Sequence, residues 1–135
     1  MNKINLYAKY GSDVNKEIKG VPFYIDKDAD CYILVGRWCS RNIEHNKAQA
    51  ELSKTLVGVP ELEAEQARKR VFVEHLIKGW NNVYDKDGNE LPFTVENAVT
   101  LLVDELPDLS DDLFAFSLNR ENFGLDSVEK AVKNS

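Results

Sequence analysis

Trp80-Asn81-Asn82-Val83-Tyr84-Asp85-Lys86-Asp87-Gly88-Asn89-Glu90-Leu91-Pro92-Phe93-Thr94-Val95-Glu96-Asn97 is the stretch on which the fold reading turns. Upstream of it, Phe72, Val73, Leu76, Ile77 and Trp80 fall on one side of a helix expected over residues 61–78. Gly79 ends that helix. Asp87-Gly88 then predicts a reversing turn, because glycine accepts a positive φ and aspartate hydrogen-bonds its own turn. Leu91-Pro92-Phe93 feeds a second helix. Thr94 is suited to cap it, its hydroxyl accepting a free backbone N–H of the first turn. Glu96 adds favourable negative charge at the same end. Val95, Ala98, Val99, Leu102, Val103 and Leu106 follow at helical spacing on one face.

Working outward, Pro107 interrupts this helix and predicts another over residues 108–122. Its inward residues are expected to be Leu109, Leu113, Phe116 and Phe123, flanked by Phe114 and Leu118. Asp126 and Glu129 resemble a capping box for a short last helix carrying Val128, Ala131 and Val132. Residues 42–57 are helix-permissive, with a weak apolar face at Ile43, Ala48, Leu52 and Leu56. Gly58 ends that segment and Pro60 opens the next helix. The first third reads differently. Ile4, Leu6, Ala8 and Tyr10 alternate as in a half-buried strand. Val21, Phe23 and Ile25 alternate again, with Pro22 pointing to a sheet edge. A polar turn over residues 26–30 and the apolar run 31–35 complete a hairpin. The expectation is one α+β domain, mainly α, over residues 1–135. Residues 1–39 form its β-rich part, with a small antiparallel sheet, and residues 40–135 its helical part, with four or five helices.

The chain has 135 residues and a formal net charge of −6. That length can bury a real core. The charge argues against a nucleic-acid groove, which needs a concentrated basic face. Arg68-Lys69-Arg70 follow Glu61, Glu63 and Glu65 on one expected helix, an arrangement that suits a solvated, charge-laced face. No apolar run approaches bilayer-spanning length, and the N-terminus lacks the apolar core of a signal peptide. No membrane partner is expected, and a cytosolic location is. Cys31 and Cys39 fit it as reduced thiols acting as small apolar side chains.

Site chemistry is sparse. Asp26, Asp28 and Asp30 alternate like calcium ligands, but Cys31 stands where a calcium loop needs glycine and Arg37 where it needs glutamate. Asp85-Lys86-Asp87-Gly88 brings its glycine too soon. Two cysteines without a histidine in register make no zinc site. His45 and His75 sit on different expected helices in polar surroundings, which suit exposed or boundary positions. No nucleophile elbow, phosphate-binding glycine loop or His-Glu-x-x-His pattern is present. The expectation is a non-enzyme with no metal and no cofactor.

The order of features after Phe72 resembles the small tail assembly chaperones of long-tailed bacteriophages. That pattern has an aliphatic–Trp junction, an Asp-Gly turn, a Pro-Phe-Ser/Thr step and a Glu-Asn helix start. Gly79-Trp80, Asp87-Gly88, Pro92-Phe93-Thr94 and Glu96-Asn97 match it in order, followed by Pro107-Asp108-Leu109. The resemblance spans roughly residues 72–123. Residues 20–35 are more loosely similar to the family's opening hairpin, and residues 1–19 find no counterpart.

The resemblance implies a non-virion protein of the host cytoplasm. Its client would be the tape measure protein, kept soluble while tail-tube subunits polymerise around it. The tail-tube protein is a second candidate partner, and self-association into a homo-oligomer is a further expectation. Several members of the family are made in two forms by a programmed frameshift. Trp80, Tyr84 and Phe93 are the candidate partner-binding residues. For Trp80 and Phe93 a packing role, pinning two helices across the turn, outweighs a direct contact. The chain admits two other readings. One is an acidic inhibitor or nucleic-acid mimic that binds a basic host protein. The other is a small enzyme or metal protein using His45 and His75.

Overall fold

The computed structural model describes residues 3–125. In chain order they form α1 (Leu6–Tyr10), α2 (Val14–Lys19), β1 (Val21–Asp26), β2 (Cys31–Val35), α3 (Ile43–Thr55), α4 (Glu61–Leu76) and β3 (Ile77–Asn81). After these come α5 (Val95–Val99), a π-helical turn (Thr100–Glu105), α6 (Pro107–Leu118) and a 3-10 turn (Arg120–Phe123). The fold is α+β and mainly α. The three strands make one antiparallel sheet in the order β1-β2-β3.

The hairpin forms where alternation and turn chemistry place it. Asp26 accepts the Ala29 N–H at 3.1 Å, and Asp30 takes a positive φ of 51° to close the turn. β2 is the central strand, so its Ile33 and Val35 are fully buried. Across the sheet's inner face lie Phe72, Val73 and Leu76 of α4, Ala98 and Val99 of α5, and Leu113 of α6.

Two segments depart from their expected form. The helix expected to reach residue 78 stops at Leu76, and residues 77–81 become β3. Ile77 turns extended (φ −88°, ψ 112°), and Ile33 pairs with Trp80 and Tyr32 with Asn81. The run of apolar residues suits either a helix face or a strand. The open edge of β2 decides, because its unpaired backbone groups are satisfied by a third strand. Gly79, a weak helix former, offers little resistance.

The second departure is at the start of the chain. The strand expected over Ile4, Leu6, Ala8 and Tyr10 is instead α1, followed by α2. Asn5 caps α1 by accepting the Tyr7 and Ala8 N–H groups at 3.0 and 3.1 Å. Asp13 caps α2 through the Asn15 and Lys16 N–H groups at 2.9 and 3.3 Å. These local bonds satisfy the first donors of each helix without any sheet partner. None of the residues of α1 is buried. The short helix expected from Asp126 lies outside the described residues.

Glu17 fastens α2 to the rest of the chain. Its carboxylate is fully buried and takes Arg37 Nη1 and Arg41 Nη1, each at 2.6 Å. Its backbone oxygen accepts the Arg37 N–H at 2.9 Å and Asn42 Nδ2 at 3.0 Å. Asn42 Nδ2 also donates to Arg37 O at 2.6 Å. Gly36 donates its N–H to Leu76 O at 2.7 Å, so the chain leaving β2 is tied to α2 on one side and α4 on the other. Phe123, fully buried, holds the far end of this layer, and its carbonyl accepts the Asp13 N–H at 2.9 Å.

Replacing Glu17 by Gln keeps the shape but strands two guanidinium groups. The arginines are partly solvated, which moderates the loss. The expected destabilisation is about 2 kcal/mol, read as a lower urea midpoint at unchanged slope. A midpoint equal to that of the wild type would show that the carboxylate's charge contributes nothing.

Candidate partner-binding groove

The segment after β3 folds as a short closed loop. Leu91 N–H donates to Val83 O at 2.8 Å, and Tyr84 bridges to Glu90. Asp85 organises the tip, its Oδ1 accepting the Asp87 and Asn89 N–H groups, both at 2.9 Å. Gly88 sits at φ +83°, the left-handed conformation that the Asp-Gly pair predicts.

Trp80 anchors the loop. Its Nε1 donates to Leu91 O at 2.8 Å, and its ring meets Phe93 edge-to-face at 5.0 Å and 90°. Both rings are half-buried. They join a strand to the loop, whereas the sequence suggested a clasp between two helices. Asn97 Nδ2 donates to Pro92 O at 2.9 Å, and Thr94 Oγ1 accepts the Asn97 N–H at 3.0 Å. Thr94 is therefore the cap that its position predicts.

α5 runs directly into the π-helical turn, closed by Leu106 N–H donating to Leu101 O at 2.7 Å. The wider turn rotates the following residues. Leu106, expected on the buried face, is 46% exposed. π-helical turns inside helices recur at functional sites. Here Thr100, Leu101 and Glu105 form one wall of an open groove of about 500 Å³. The opposite wall is the loop, with Tyr84, Asp85, Lys86 and Asp87, and Leu91 lies between. Tyr84, Leu91, Leu101 and Leu106 give the groove apolar surface, and Asp85, Asp87 and Glu105 give it an acidic rim.

Of the three candidate residues, only Tyr84 lines the groove, with 56% of its surface exposed. Trp80 and Phe93 stand behind it as supports. Nothing in the local sequence marks Leu106 or Glu105 as site residues; for Leu101 the signal is the pair Leu101-Leu102, which overfills a single helical face.

The histidines come together although they lie on α3 and α4, with ring centres 6.2 Å apart. His45 is buried, contrary to the exposed or boundary position expected for it. Its Nδ1 lies 3.2 Å from Asn46 Oδ1 and its Nε2 3.2 Å from Gln49 Nε2. The amide partners assign a neutral ring that donates from Nδ1 and accepts at Nε2. Trp38 packs edge-on at 4.4 Å. Burial pushes the His45 pKa down; the Asn46 hydrogen bond opposes this, while His75 and Lys78 add to it. Burial likewise lowers Lys78. Among the described residues no group of three or more His, Cys, Asp or Glu side chains could hold a metal ion. Nor is any described helix long and apolar enough to cross a membrane.

A family model described as YdaY prophage protein matches residues 37–134, and the chain belongs to that family. The match includes the whole groove and identifies a phage-derived protein. No curated protein and no solved structure matches the chain.

Two measurements test this geometry. Trp80→Ala should destabilise by about 3 kcal/mol, while Tyr84→Ala should stay within about 0.5 kcal/mol of wild type. Equal losses would contradict the division between support and surface. For His45, the lowered folded pKa means that the unfolded chain binds more protons below its ordinary value of about 6.5. Stability should therefore fall as pH drops through that value, and His45→Gln should flatten the slope between about pH 7 and 5.5. Identical slopes in the two proteins would remove His45 as the cause.

Proposed function

We propose that this member of the YdaY prophage protein family is a tail assembly chaperone whose client is the phage tape measure protein. One observation carries the reading. Residues 80–97, which bear the resemblance to that chaperone family, build one wall and the supports of an exposed apolar groove with an acidic rim. Membership of a prophage family supports the phage setting.

The chemistry is helix-in-groove binding. A long helical client carries an apolar stripe that must be shielded until tube subunits cover it. The groove covers a short length of such a stripe through Tyr84, Leu101 and Leu106, while its acids face the client's flanking polar residues. Release is as necessary as binding, because the polymerising tube has to displace the chaperone. A shallow open groove with modest contacts suits that exchange better than a deep pocket. The formal net charge of −6 keeps the loaded complex soluble. The mechanism needs no covalent step and no cofactor, and it operates in the host cytoplasm where tails assemble.

The test is co-expression with the tape measure protein of the same genome. The client should become soluble and co-purify. Tyr84→Ala combined with Leu106→Asp should weaken capture about tenfold or more, with an unchanged melting temperature, since both side chains are exposed. A client that stays insoluble beside the wild-type chain would refute the chaperone reading. Full capture by the double variant would refute the groove as its site.

A further inference from the structure

We propose that copies of this chain associate head to tail, α1 of one copy seating Tyr7 in a pit between α4 and α6 of the next. The contact uses neither wall of the client groove and stands independently of the client reading.

The donor is the N-terminal arm. Ile4, Leu6, Tyr7 and Tyr10 are 77%, 63%, 75% and 54% exposed, and no residue of α1 is buried. Large apolar side chains clustered this way on a short helix mark an interaction surface. The arm is also basic, against the charge of the chain as a whole. Residues 3–19 hold Lys3, Lys9, Lys16 and Lys19 against two acids. Of those acids, Glu17 is buried between arginines and Asp13 is occupied in capping α2.

The acceptor is a pit of about 160 Å³ between α4 and α6, lined by Trp38, Phe72 and Phe114. A cavity of about 150 Å³ is enough to admit benzene, so the pit accepts one aromatic ring. Two cations at its rim are already paired, Lys69 to Asp111 at 2.9 Å and Arg68 to Glu61 at 2.8 Å. Glu65 on the same rim, and Asp108 one turn before Asp111, make no ion pair among the described residues. Residues 108–112, at the start of α6, contain three acids and no lysine or arginine. A ring in an apolar pit flanked by opposite charges is the form that interface anchors take.

The charge pattern selects a second copy over an anionic membrane. The arm alone suits either, but the acidic body would be repelled by an anionic surface and attracts the arm. Donor and acceptor are different surfaces, so each added copy leaves one of each unused. Such a heterologous contact extends in a line unless its rotation closes a ring. A line of copies is the form that covers an extended partner.

Light scattering on fractionated full-length protein, over a range of concentrations at low and high salt, reads the association. Mean mass should rise with concentration and fall with added salt. Tyr7→Ala, lacking the donor, and Glu65→Lys with Asp108→Lys, lacking the acceptor, should each associate at least tenfold more weakly while keeping the wild-type melting temperature. Mixing the two variants should give a one-to-one dimer that grows no further, because one intact pit meets one intact arm. Mass that stays monomeric at every concentration overturns the proposal, as does association unaffected by Tyr7→Ala. Capture of the wild-type chain by phosphatidylserine vesicles without self-association would assign the arm to a membrane and also overturn it.

Discussion

A single buried carboxylate carries the junction between the N-terminal arm and the rest of the fold. Glu17 has no contact with solvent, and each of its oxygens meets an arginine at 2.6 Å. A charge in that position is tolerable only when it is paired and hydrogen-bonded on all sides. The two arginines come from the segment that leaves β2, and Asn42 closes the same knot by donating to the backbone of Glu17 and Arg37. This knot fixes where α3 begins and where the sheet's central strand ends. It anchors α2, while none of the residues of α1 is buried.

From that knot the sheet sets the rest. The chain after Val35 donates back to Leu76, the last residue of α4. α4 therefore ends beside the open edge of β2, and four of the next five residues, all but Lys78, pair with that edge. Trp80 lies in this third strand, so its indole N–H can reach the Leu91 carbonyl and its ring can meet Phe93. These two contacts hold the loop to β3, and Asn97 on Pro92 holds it to α5. One wall of the groove thus depends on a strand pairing that occurs on the far side of Trp80.

The other wall depends on a change of helical pitch. An α-helix continued through Leu106 would turn that side chain toward the core with Leu102 and Val103. The wider π-helical turn moves it outward and opens the groove beside Leu101. Exposed apolar surface is thereby concentrated where a rigid loop and a helix face each other. The acids on both walls keep that surface solvated in the free protein. Such a site suits a partner held by an apolar stripe and released by competition.

Much of this was legible in the sequence because it depends on neighbours in the chain. The hairpin over residues 21–35, the Thr94 cap, the Asp87-Gly88 turn and the buried positions Ala98, Val99, Leu102 and Val103 follow from local turn chemistry and spacing. The mainly helical α+β class follows from the same signals. The helices at residues 6–19 are local as well, set by the Asn5 and Asp13 caps against the alternation at Ile4 to Tyr10. Tertiary structure alone decided three other matters. The apolar run at residues 77–81 became a strand because the edge of β2 was open to it. His45 was drawn into the core because Trp38, Asn46 and Gln49 could surround it. In the groove, Trp80 and Phe93 were visible as markers, but the surface they support was not. Leu101 and Leu106 reach that surface through a π-turn whose i to i+5 bond leaves no periodic trace in the sequence. Short-range preferences fix caps, turns and helix faces, whereas pairing between distant segments depends on which backbone groups and apolar faces the folded chain leaves unsatisfied.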